Sequence, residues 1–263
     1  MVKEIEPALP MGEEPQPKDI APTPPYNPLE GERPDLVMKL HDGSQEQVSI
    51  IVVHRDRPEY LNICLQSIAI LSINNNYEII VVDNGSGQET QDFLDEIESE
   101  VRVIRNKENL YWSAAANKGV EAANPNTKYF VFLHCDVVVL NPAWLDLLIN
   151  VSMAGDAGLV GLEMQTYYLQ SQQIDFIREW CVLVSRECWK EAGPFDERLP
   201  QIGAPFILTM KAQRKGYKPQ IMKNPIAHHY GIFALNINEH ERLVEQAMAN
   251  IPKILREIQG MPV

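Results

Sequence analysis

From Val48 onward, short apolar runs alternate with amphipathic stretches. Residues 48–53 (Val-Ser-Ile-Ile-Val-Val) are almost unbroken in their apolar character, the pattern of a strand buried on both faces of a parallel sheet. After the polar loop at residues 54–57, Pro58 stands where the first turn of a helix tolerates it. Leu61, Leu65, Ile68 and Leu71 then recur at helical spacing. Residues 77–82 predict a second strand, residues 88–98 a helix burying Phe93, Leu94 and Ile97, and residues 101–104 a third strand. A helix is expected to start near Ala114, and residues 129–133 form the fourth strand. Strands that alternate with helices in this way imply an α/β fold with mainly parallel pairing.

The second half alternates less regularly. Asn141 is placed to cap a helix with Pro142 at its first position and Trp144, Leu147, Leu148 and Val151 along one side. Residues 158–162 and 181–184 read as short strands, and residues 206–215 as a helix stopping at Gly216. Asn238 and Glu241 have the spacing of a capping box and open a long helix to about residue 257, which Pro252 should kink or interrupt. That helix is read as a peripheral packing element.

Composition changes this picture at the amino end. Residues 1–47 hold nine of the 19 prolines and carry ten acidic against four basic residues, −6 of the net −13. Such a stretch cannot build its own core, and it reads as an unstructured leader or an extended arm lying on a partner. The expected division is therefore an arm at 1–47, an α/β domain at 48–235 and a helical element at 236–263. The acidic balance argues against a nucleic-acid partner. Cys64, Cys135, Cys181 and Cys188 form no CxxC pair and read as reduced thiols. With no apolar leader at Met1 and no run long enough to span a bilayer, the chain is expected to be soluble, cytoplasmic or part of a particle assembly, and not secreted by a signal peptide.

The candidate chemistry lies where the fourth strand ends, in Leu133-His134-Cys135-Asp136. In open parallel sheets the ligand crevice lies beyond the carboxyl ends of the strands. A His and a carboxylate there can bind a metal ion or a diphosphate-bound metal; the alternative is a solvated strand end whose Asp satisfies a turn. Cys135 is not read as a nucleophile activated by His134, because adjacent strand residues face opposite ways.

Six segments in order carry a resemblance to the inverting family 2 glycosyltransferases of GT-A fold, from Val48 to Gly231. They are the first strand with Arg57-Pro58 and Leu61; Asp83-Asn84-Gly85-Ser86 after the second strand; and Asn109, Asn117 and Gly119. The others are His134-Cys135-Asp136 in the place of an Asp-x-Asp motif; Glu191 to Glu197; and His228-His229. The resemblance implies a nucleotide-diphosphate-sugar donor, a saccharide or other hydroxyl acceptor, and Mn²⁺ or Mg²⁺ bridging the diphosphate. It implies donor contacts from Asp83, Asn84, Ser86, Asn117, His134 and Asp136, with Asp83 accepting from a base N–H. Metal ligands would be Asp136 with His228 or His229, where an imidazole suits Mn²⁺ better than Mg²⁺. Arg55 and Arg57 either approach the donor phosphates or are charged loop residues in water.

The sequence also departs from the family pattern. His134 replaces the first Asp of the metal motif, His54-Arg55-Asp56 replaces the usual first-loop residues, and Leu110 replaces a glycine. The acidic pair that should supply the catalytic base is Ala204-Pro205. The catalytic residue is unknown at this stage, with Asp175, Glu179, Asp196 and Glu197 as the nearby carboxylates. Two functions therefore stay open. One is a metal-dependent inverting sugar transferase. The other is a catalytically silent, glycosyltransferase-like structural module docked through residues 1–47 onto a larger assembly such as a virion or surface complex.

Overall fold

The computed structural model of the protein describes residues 48–72, 76–169, 172–223, 226–231 and 237–260. The arm expected over residues 1–47 lies outside the described residues. In chain order the first elements are β1 (Val48–His54), α1 (Pro58–Leu71), β2 (Tyr77–Asn84), α2 (Gln88–Ile97), β3 (Arg102–Asn106), α3 (Tyr111–Glu121) and β4 (Tyr129–His134). Next come β5 (Val137–Val139), α4 (Trp144–Ala154), β6 (Leu159–Gly161), β7 (Met164–Leu169), β8 (Gln172–Ile177) and β9 (Cys181–Ser185). The chain continues through α5 (Arg186–Ala192), α6 (Ala204–Arg214), β10 (Gln220–Ile221), β11 (Ala227–His229) and α7 (Ile237–Gln259).

Seven strands form the main sheet in the order β10-β6-β9-β4-β1-β2-β3. β4, β1, β2 and β3 are mutually parallel, and β9 runs antiparallel to both β4 and β6. Strict alternation along each strand divides the core in two. Val48, Ile50, Val52, Ile79, Val81, Val131 and Leu133 face α1, α2 and α4 through Leu61, Leu65, Ile68, Leu94, Trp144 and Leu148. Ile51, Ile80, Val82, Phe130 and Phe132 face α3, α5, α6 and α7. Apolar side chains are thus buried on both sides, which is why the central strands read as continuous hydrophobic runs.

Three expectations change. α7 is not peripheral: Ala247, Ile251, Ile254 and Leu255 are buried in the same cluster as Trp112 and Phe132, and Leu243 is buried as well. It also runs through Pro252, with buried Ile251 and Ile254 on either side, so packing outweighs the ~3 kcal/mol that an internal proline costs a helix. α4 begins at Trp144 rather than Pro142. Asn141 instead closes a turn, its Oδ1 accepting from Ala143 N at 2.8 Å and its carbonyl from Trp144 N at 3.1 Å.

Gly119 lets α3 lie directly on the sheet. A Cβ there would collide with Ile51 and press on Val82 at 3.3 Å, both fully buried. Alanine gains ~1 kcal/mol of helix propensity over glycine, but overpacking a tight core costs ~1–3 kcal/mol. Gly119→Ala is therefore expected to lower stability by about 1 kcal/mol in urea unfolding, and a variant more stable than wild type would show that the helix can lift off the strand.

Candidate functional site

β4 ends at His134 and β5 starts at Val137, so Cys135 and Asp136 form the turn between them at the carboxyl end of the parallel strands. β11 pairs antiparallel with β5, bringing His229 opposite Val137 and His228 opposite Val138. Tyr230 N donates to the Asp136 carbonyl at 3.0 Å and continues the pairing past the strand end. Because adjacent residues alternate, only one of the two histidines can turn toward Asp136. It is His229, whose Nε2 lies 3.2 Å from Asp136 Oδ1 and 3.3 Å from His134 Nδ1. His228 is exposed with its ring against Tyr230, and it stands outside the cluster. Its expected role as a metal ligand is corrected by this register.

His134, Asp136 and His229 each present one ligand atom, and all three lie within 4.8 Å of one another. Asp136 is 5% exposed, whereas His134 and His229 are partly open to solvent. Burial lowers the His134 pKa; the charges of Glu179 and Asp136 oppose this, while His229 and Arg178 add to it. The ring is thus held neutral, the form that can offer a lone pair to a metal. Its Nε2 is buried without a hydrogen-bond partner among the described residues.

A second layer supports His229. Trp180 lies flat on its ring, with centroids 5.3 Å apart and planes at 1°. The Trp180 carbonyl accepts from His134 N at 3.1 Å, and its indole Nε1 donates to Glu163 Oε2 at 2.8 Å. Arg178 holds the other oxygen of Glu163 at 3.0 Å. Burial alone would raise the Glu163 pKa, yet the hydrogen bonds from Trp180 and Arg178 with the Arg178 charge bring it below the usual range. Partners of this kind typically set metal affinity by ~10–100-fold, so if the cluster holds a cation, Trp180→Leu is expected to weaken Mn²⁺ binding about tenfold in a calorimetric titration. Trp180 is the component the sequence reading missed. Its only signal was an aromatic residue closing the polar stretch just before the β9 run.

The other residues expected to touch a donor are tied into the fold. Asp83 is fully buried; Oδ1 accepts from the Ser86 hydroxyl and Oδ2 from Gln91 Nε2 at 2.8 Å. Ser86 Oγ in turn accepts from Asp56 N at 2.8 Å, and Asp56 Oδ1 accepts from Gly87 N at 2.9 Å, so Asp83 and Ser86 pin the turn after β2 to the loop after β1. Both Asp83 oxygens are thus engaged within the fold. Asn84 donates to the Tyr111 carbonyl at 3.0 Å and accepts from Leu110 N and Asn106 Nδ2, shaping the entry to α3. Asn117 pairs with both backbone groups of Phe195 at 3.0 Å and donates to Glu197 Oε1 at 3.0 Å. Arg55 and Arg57 lie in the loop after β1, about 3.9 Å from Asp56 and Glu59 respectively, with the Arg57 side chain exposed. Asp56 and Arg57 both have positive φ, 54° and 57°.

Two buried groups sit beside this layer. His54, 1% exposed at the end of β1 and opposite Asp83, has neither ring nitrogen hydrogen-bonded among the described residues. Burial drives its pKa down to about 4, against the pull of Asp83 and Asp56. Burial and the Asp136 charge push the Cys135 thiol up to about 12, so it stays protonated and inert. Ala204 and Pro205 are buried in the first turn of α6.

The family model for glycosyl transferase family 2 matches residues 49–204, more than half of the chain. The chain belongs to glycosyl transferase family 2. The O-antigen biosynthesis protein RfbC of Myxococcus xanthus is a similar relative, 23% identical over 207 residues, which is 65% of this chain and 16% of that protein. Among solved structures, the mannosyltransferase PcManGT of Pyrobaculum calidifontis, in complex with GDP-Man and Mn²⁺, matches with a TM-score of 0.60. Identity is 14%, covering 80% of this chain and 66% of that one. GalNAc-T7 with UDP, GalNAc and Mn²⁺ gives a TM-score of 0.57 at 14% identity, covering 78% of this chain and 48% of the other. This chain therefore spans about a sixth of the curated relative, and the shared architecture is the GT-A fold. Within the described residues of this family 2 member, no helix is long and apolar enough to cross a membrane.

Proposed function

We propose that the protein transfers a sugar from a nucleotide-diphosphate donor to a hydroxyl acceptor, with inversion, at a site whose divalent cation is held by His134, Asp136 and His229. The observation that carries this reading is the meeting of three ligand atoms, 3.2 and 3.3 Å apart along its two short edges, at the carboxyl end of β4. A single N–H on His229 can serve only one of its two neighbours well, whereas a cation among all three engages one lone pair from each ligand atom. The spacing fits, since ligands about 2.1 Å from one ion lie roughly 3 Å apart at neighbouring octahedral positions. Two imidazoles with one carboxylate favour Mn²⁺ over Mg²⁺. A cation here supplies charge stabilisation for a diphosphate leaving group. The Mn²⁺ in both solved structures supports the same reading.

One observation favours a second reading, a donor-binding module without turnover: the buried Ala204 and Pro205 stand where the family pattern has its acids. In that case residues 1–47 would dock the module on a partner. Calorimetry with GDP-mannose and UDP-N-acetylgalactosamine, with and without Mn²⁺, tests the donor site. Absence of Mn²⁺-dependent binding to either rejects it for those donors, and binding with nucleotide release separates the transferase from the silent module.

A further inference from the structure

We propose that Glu179 is the proton acceptor of this site, standing in for the carboxylates absent at Ala204 and Pro205; the inference rests on the sugar-transfer reading above. Attack by a hydroxyl on an anomeric carbon needs a nearby group to take its proton. The other carboxylates around the site are engaged. Asp196 is held by Arg198 at 2.7 Å, and Arg198 also bridges to Glu257 at 2.8 Å. Glu197 accepts from Asn117, Asp175 from the Thr166 hydroxyl, and Glu163 from Trp180 and Arg178. Asp83 is buried under Ser86 and Gln91, and Asp136 belongs to the cation cluster.

Glu179 differs from all of these. It is half-buried in the turn between β8 and β9, immediately before the residue whose carbonyl pairs with His134 and whose ring covers His229. Among the described residues no hydrogen bond or ion pair engages its carboxylate. Its charge, like that of Asp136, favours protonation of the His134 ring against burial. In the reaction, the acceptor O–H proton passes to a Glu179 carboxylate oxygen as the acceptor oxygen bonds to the anomeric carbon. The bond from that carbon to the diphosphate breaks, its electron pair leaves with the nucleoside diphosphate, and the proton is later released to water. Nothing beyond donor and hydroxyl is consumed.

The test uses the full chain, Mn²⁺, and GDP-mannose and UDP-N-acetylgalactosamine as probes, with water as the simplest hydroxyl. Calorimetry reads donor binding, and nucleoside diphosphate release reads turnover. Glu179→Gln, which keeps shape and loses basicity, is expected to bind donor within about threefold of wild type and to release nucleotide ~10²–10⁴-fold more slowly. Glu179→Asp should recover part of the rate. Retained Mn²⁺-dependent binding by Glu179→Gln also reports that the variant is folded. Release by Glu179→Gln at the wild-type rate overturns the inference alone, as does wild-type binding without release. Loss of donor binding in Glu179→Gln overturns it too, by making Glu179 a donor-holding group. Failure of the wild type to bind either donor overturns the donor-site reading along with it.

Discussion

Asp136→Ala is expected to lose at least about 100-fold in Mn²⁺ affinity, because removal of outer-layer partners already costs ~10–100-fold and Asp136 offers the only carboxylate of the cluster. His229→Ala should behave alike. His228→Ala should leave affinity within about twofold, since its exposed ring faces away. The adjacent histidines make a sharp contrast, as the two substitutions remove the same chemistry one residue apart and differ only in facing. Mn²⁺ titration followed by electron paramagnetic resonance reads the free ion directly. Equal losses at positions 228 and 229, or affinity unchanged in Asp136→Ala, would remove the cluster as the cation site.

Acid destabilisation through His54 is the second large effect expected. The unfolded chain takes up a proton at this residue near pH 6.5, whereas the folded protein resists until about pH 4. Between those values the unfolded state binds more protons, so stability rises with pH. The His54 contribution is complete above pH 6.5 and is lost as pH falls toward 4. A gap of about 2.5 pH units corresponds to about 3 kcal/mol. His54→Leu removes the titrating ring together with two buried nitrogens that lack partners, a change that can be neutral or stabilising when the replacement is apolar. The variant should match or exceed wild type at pH 7 and lose about 3 kcal/mol less than wild type between pH 6.5 and 4 in urea unfolding. His134 and the ion-paired carboxylates titrate in both proteins and cancel in the comparison. Parallel stability curves for the two proteins would refute the assignment.

The sheet was legible because burial on both faces leaves the sequence little freedom. Ile50 and Ile51 enter different cores, yet both must be apolar, and the run shows it. The facing of the two histidines was not legible. Alternation says that His228 and His229 diverge, but only the pairing of β11 with β5 decides which one meets Asp136. The hydrogen-bond partners of Asp83, Asn84 and Asn117 were not legible for a related reason. Asparagine and aspartate at strand and helix ends suit ligands and backbone groups equally, and here the backbone and neighbouring side chains occupy them. α7 looked peripheral because its apolar seam, Ala247 to Leu255, carries no sign of what it covers until α3 and α6 are in place.

The pairing of β5 with β11 has one more consequence. His134 and His229 are 95 positions apart, and the second is tied to the fold by three register pairs, the bond from Tyr230 N to the Asp136 carbonyl and the Trp180 ring stacked on it. A cation gripping both rings and Asp136 would act as a removable cross-link, closing a loop of nearly a hundred residues across this short ribbon. Its occupancy and the pairing of β11 with β5 would then be linked, each raising the probability of the other.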